Sequence, residues 1–248
     1  MKHLVKVIVL FLVLLTLNGG AEESEDLSRW FTYYYIRPEP ASVPEAIVTM
    51  SRAGWLESES SLPPIFGFLA GVFRKNPEKI PTWIKRMERM KKEDFIVVIL
   101  GLWYANLPDS KERVYALLEH YPVLKRELEF LYRGDPAPLE EIPLEQGPWV
   151  LDALWGEFMA TGERAPVLRI IKALAWVGEE KDVYRKILGS AARWSLLSNA
   201  IQHRRVLEIC RSQVASRPEP IASVLREIIS KAEKEPGGRS TKGGADSP

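Results

Sequence analysis

Apolar residues recur at intervals of three and four along most of the chain, the spacing of a helix face, and alternating strand patterns are missing. Helix starts are punctuated. Ser42, with Glu45 three positions on, reads as a capping box with Pro44 in the first turn, and Asn76 before Pro77 is an equivalent start. FIVVIL, Phe95–Leu100, has the look of a strand, but it continues into GLWYA and reads as a buried helix.

A repeat lies beneath this pattern. Trp155 precedes Val167 by 12 positions in WGEFMATGERAPVLRII, and Trp194 precedes Val206 by 12 in WSLLSNAIQHRRVLEIC. Each segment reads as a helix opened by tryptophan, a polar break, and a second helix started by a β-branched residue. Phe68 and Ile80 repeat the spacing of 12, Trp103 and Val114 stand 11 apart, and Trp30 and Val43 stand 13 apart. The five openings are separated by 38, 35, 52 and 39 residues, within the period range of paired-helix repeats. A two-helix hairpin cannot bury its apolar face alone, so hairpins stack, and each large ring is expected to fill the seam with its neighbour.

The predicted fold is therefore all-α. It is a degenerate α-solenoid of stacked hairpins, in the manner of tetratricopeptide or HEAT repeats, with an irregular helical bundle as the alternative. The interval of 52 contains RGDPAPLEEIPLEQGP, rich in proline and acid, which reads as a connector over 133–148. It is expected to separate hairpins over 22–132 from hairpins over 149–233. The tail over 234–248, with almost nothing apolar to bury, is expected to be disordered.

The first residues change the compartment. MKHLVK leads into the 11-residue run Val7–Leu17, and NGGA then precedes the acidic EESED, the order of a secretory leader. A membrane-spanning helix needs about 20 apolar residues, so cleavage before Glu22 is expected, with Gly19 and Ala21 as the small residues of the cut site. A leader over 1–21 implies a periplasmic or secreted protein. Inner-membrane anchoring is the alternative if the leader stays uncut.

Loss of the leader takes Lys2 and Lys6 from the 34 basic residues, leaving 32 against 33 acidic ones, a net charge of −1. No nucleic-acid partner is expected from that balance. Cys210 is the single cysteine, so neither an internal disulfide nor a cysteine zinc cluster can form, and it reads as a buried small residue.

WFTYYY at Trp30–Tyr35, FMATGERAPVLRII and ARWSLLSNAIQHRRVLEIC together resemble a set of exported bacterial proteins of uncharacterised function. The resemblance covers most of the mature chain and implies export and a helical fold. It implies no activity.

Chemistry-bearing motifs are thin. GxSxG, SxxK, HExxH, CxxC and phosphate-cradling glycine loops are missing. No cofactor and no metal site are expected. In GFLAG, Gly67 and Gly71 stand one turn apart, which reads as close approach of a neighbouring backbone. RGD at Arg133–Asp135 reads as a helix end with Gly134 in the left-handed region. His120, just before Pro122, reads as a partner for helix-end carbonyls.

Two groups remain as candidate sites. Glu157 sits among aromatic neighbours and is a candidate for a general acid of raised pKa, the requirement of a glycan-cleaving hydrolase. Pairing with Arg164 or plain exposure is the alternative. Asn199, Gln202, His203 and Arg204, together with Tyr33 and Tyr34, are candidate ligand-binding residues. On a helix the five rings of WFTYYY cannot share one face, so some are expected to seal a core and Tyr33 to reach the surface. The functional expectation is a non-catalytic scaffold or module that binds an envelope protein or peptide, touching membrane only through an uncut leader.

Overall fold

The computed structural model of the chain describes residues 21–235. The leader, apart from Ala21, and residues 236–248 of the expected tail lie outside the described residues. Among the described residues there are twelve α-helices and no strand, so the all-α expectation holds. No helix among them is long and apolar enough to cross a membrane.

Five helix–break–helix pairs lie where the repeat places them. They are α1 (Ala21–Tyr33) with α2 (Val43–Arg52), α3 (Leu62–Lys75) with α4 (Ile80–Met87), and α5 (Ile96–Ala105) with α6 (Ser110–Leu118). After α7 (Pro122–Glu127) come α8 (Pro148–Thr161) with α9 (Arg164–Lys172), and α10 (Val183–Gln202) with α11 (Arg204–Gln213). Helix α12 (Glu219–Lys234) closes the described chain. The β-branched residues that mark the second helices, Val43, Ile80, Val114, Val167 and Val206, are all fully buried. Each such burial stabilises the fold by about 2 kcal/mol.

The rings behave differently from expectation. None opens its helix: Phe68, Trp155 and Trp194 lie within α3, α8 and α10, and Trp30 and Trp103 lie near the ends of α1 and α5. Phe68, Trp103 and Trp155 are buried, and Trp30 packs against Phe68 at 5.5 Å between ring centroids. Trp194, expected to fill a seam, is 54% exposed.

The chain falls into two compact units, one through Pro166 and one from Val167 onward. The boundary expected in the 133–148 connector is therefore displaced past α8, because α8 packs on α3. In the first unit α3 lies between α8 and α5, so neighbours in space do not follow chain order. A strictly sequential solenoid stacks each pair on the preceding one, and the irregular-bundle alternative describes this unit. The connector itself is pinned by the buried side chains of Leu139 and Leu144.

Helices α3 and α8 run in the same direction with their backbones in contact. A Cβ at Gly67 would collide with the carbonyl of Ala153, one at Gly156 with the carbonyl of Pro64, and one at Gly71 would reach Ala160. GFLAG thus serves the close approach expected of it. Gly134 does not have the expected left-handed conformation: its φ is −138° and ψ −174°, extended backbone after a 3-10 turn. Left-handed helix ends fall instead at Asn106 and Gly162.

The capping box at Ser42 does not form. Ser42 closes a 3-10 turn with helical backbone angles, so its hydroxyl makes no capping bond. Glu45 turns instead to Arg86, at 3.0 Å, and to Arg89. Ser51 on α2 donates from Oγ to Oδ2 of buried Asp94 at 2.6 Å, tying α2 to the start of α5.

In the second unit α10, α11 and α12 pack on one another. The core side of α10 carries Leu188, Gly189, Ala192, Leu196 and Ala200. Cys210 on α11 is fully buried, and burial pushes its thiol up to about 12.

Candidate functional site

Tyr33 and Tyr34 belong to the first unit, whereas Asn199, Gln202, His203 and Arg204 belong to the second. Phe31 and Tyr34 are buried, Trp30 and Tyr35 half-buried, and Tyr33 is 38% exposed, so the rings divide between core and surface as their angles require. Tyr34 stands edge-on to Phe68 at 5.0 Å, and burial raises its phenol to about 12. It is a core residue and presents no surface to a ligand.

The polar set around His203 is engaged locally. Asn199 donates from Nδ2 to the Ser195 carbonyl one turn back at 2.9 Å. Arg204 donates from Nε to Glu208 at 2.9 Å on the same helix, and Gln202 is exposed. His203 is the residue at which α10 ends and α11 begins, is 1% exposed, and is held down to about 4 by burial. The shielded imidazole presents no surface to a ligand. His120 sits at the surface with Nδ1 2.9 Å from the Ala116 carbonyl, the helix-end role expected of it.

Glu157 is the unusual titratable group. Its side chain has no exposed surface, and its partner is Arg74 of α3, 83 positions away, not Arg164. Arg74 also stands 3.9 Å from Glu163, which binds Lys75. Glu157 Oε2 has no hydrogen-bond partner among the described residues. Burial pushes the carboxyl up to about 7, opposed by Arg74 and reinforced by Glu140 and Glu163. Asp152, on the same helix, is raised to about 6 by burial alone. The raised pKa expected of a general acid is therefore present, but a general acid must touch its substrate, and this carboxyl is enclosed.

One surface was not anticipated. On the side of α10 opposite its core residues, Val183 is 68% exposed and Trp194 54%, while Ile187, Leu197 and Ile201 are half-buried. Ile187, Trp194 and Ile201 are spaced by seven, a signal present in the sequence but hidden by the reading of Trp194 as a core ring. Asp182 begins this helix firmly, accepting on Oδ1 from the backbone of Tyr184 at 3.0 Å and Arg185 at 3.1 Å. A 20-residue helix so started presents its stripe on a rigid element.

Compared with known proteins, the chain matches no family model, no curated protein and no solved structure.

Proposed function

We propose that the protein is an exported, non-catalytic module that binds another protein or peptide through the outward side of α10. The observation that carries this reading is Trp194. At the corresponding place in the α3, α5 and α8 pairs the ring is buried, whereas Trp194 is left more than half exposed. Tryptophan is enriched at binding hot spots because it brings a large rigid surface at small entropic cost. Export is supported by the order of basic residues, apolar run and small residues at the start of the sequence.

The test is site-specific photocrosslinking in intact cells, with Trp194 kept and the full chain carrying the reactive residue at exposed Ser190 on the same side of α10 or, as a control, at exposed Arg226 on α12. The reading predicts a discrete adduct from 190 that is missing from 226. No adduct at 190 above the control contradicts it.

A further inference from the structure

The outward side of α10 has an order that a generic sticky patch lacks. Ile187, Trp194 and Ile201 fall at intervals of seven, and Val183, Ser190 and Leu197 fall at intervals of seven between them. These are the two apolar positions of a heptad, and five of the six are apolar. All six are exposed or half-buried, whereas Leu188, Ala192, Leu196 and Ala200 of the same helix face the core. The stripe spans five turns, about 27 Å. Resting on the reading of α10 as the binding side, we infer that the partner is an amphipathic α-helix with acidic flanks, packed along α10 in coiled-coil register.

Charge selects among occupants. One flank of the seam carries Lys186 and Arg193, and the other carries Tyr184, Ala191 and Ser198. Lys186 is exposed, and Arg193 is paired with Glu227 of α12, which also binds Lys231, so that cluster keeps a net positive charge. In coiled coils the flanking positions set partner choice and orientation. A second copy packed antiparallel would set the Lys186 flank against itself, like charge against like. A second copy packed parallel would set it against uncharged residues. A helix with glutamates beside its apolar stripe satisfies the basic flank in either case. Within this chain, the C-terminal residues KEPGGRSTKGGADSP lack an apolar stripe, and the run Val7–Leu17 lacks acid.

The experiment uses the full-length protein and two labelled helical peptides of about 28 residues with Leu and Ile at the seam positions. One carries Glu on both flanks and the other Lys, and binding is read by fluorescence anisotropy. The inference predicts that the Glu peptide binds, and that the Lys peptide binds roughly tenfold or more weakly. Trp194→Ala should weaken the Glu peptide by roughly tenfold or more. Lys186→Glu, at an exposed position, should shift the preference toward the Lys peptide.

Equal binding of the two peptides, binding of neither, or binding insensitive to Trp194→Ala overturns the inference. So does a dimer in sedimentation velocity that Trp194→Ala dissolves, since a second copy would then occupy the seam. An adduct at position 190 together with failure of the Glu peptide sinks the helical partner and leaves the binding reading standing. No adduct at 190 sinks the binding reading itself.

Discussion

Arg74 on α3 donates to Oε1 of Glu157 on α8, and the other oxygen of that carboxylate, fully buried, receives no hydrogen bond among the described residues. An ion pair half-satisfied in this way makes the packing of the two helices sensitive to a proton. Burial raises the carboxyl from its usual 4.5 to about 7, despite Arg74. Between those values the folded chain holds a proton that the unfolded chain has released. Glu157's contribution to stability is thus fully present below pH 4.5 and is lost as pH rises through 7. A shift of that size corresponds to about 3 kcal/mol.

Denaturation of the first unit should therefore show it less stable at pH 8.5 than at pH 5.5. Glu157→Gln should flatten most of that slope, with Asp152, raised to about 6, leaving a smaller residue of the same sign. Parallel pH profiles for the two proteins would contradict the assignment.

His203 works in the opposite direction in the second unit. Its imidazole is held neutral to about pH 4, so the unfolded chain binds the proton first. Stability contributed by the buried neutral ring is present above pH 6.5 and falls as pH drops toward 4. In NMR the His203 ring should titrate near pH 4. A midpoint near 6.5 would mean that the junction between α10 and α11 is open to water.

Close backbone contact between α3 and α8 makes Gly156 intolerant of a methyl group, which would meet the Pro64 carbonyl. Gly156→Ala should destabilise the first unit by about 3 kcal/mol or more in urea denaturation. Gly134→Ala, at an extended residue with nothing within 4 Å, should change stability by less than about 0.5 kcal/mol. Similar effects for the two would remove the steric argument.

Cys210 should resist a thiol reagent in the folded protein and react fully once denaturant is added, because its sulfur is buried and its thiolate disfavoured. Rapid labelling of the native protein would show that the second unit's core is mobile.

Much of the fold was legible because short-range spacing encodes it. The intervals of 11 to 13 located five helix–break–helix pairs and five buried β-branched residues. Long-range choices were not legible. Nothing local says that α8 will skip past α5 to lie on α3, or that Glu157 will meet Arg74 across 83 positions in preference to nearby Arg164. Ser42 and Glu45 match a capping box in sequence, yet the preceding 3-10 turn and two arginines decide their bonds. At the candidate site the same limit acted on Trp194. Its period matched the buried rings, but on α10 that period lies on the outward face.

The central claim is that Trp194 serves a partner and not the core. Comparing Trp155→Ala with Trp194→Ala in denaturation, alongside crosslinking from a neighbouring seam position such as Ser190, tests it most directly. Trp155→Ala should cost about 3–5 kcal/mol, whereas Trp194→Ala should cost less than about 1 kcal/mol and abolish the adduct. A loss of stability at Trp194 as large as that at Trp155, or an adduct that persists without the ring, would contradict the account.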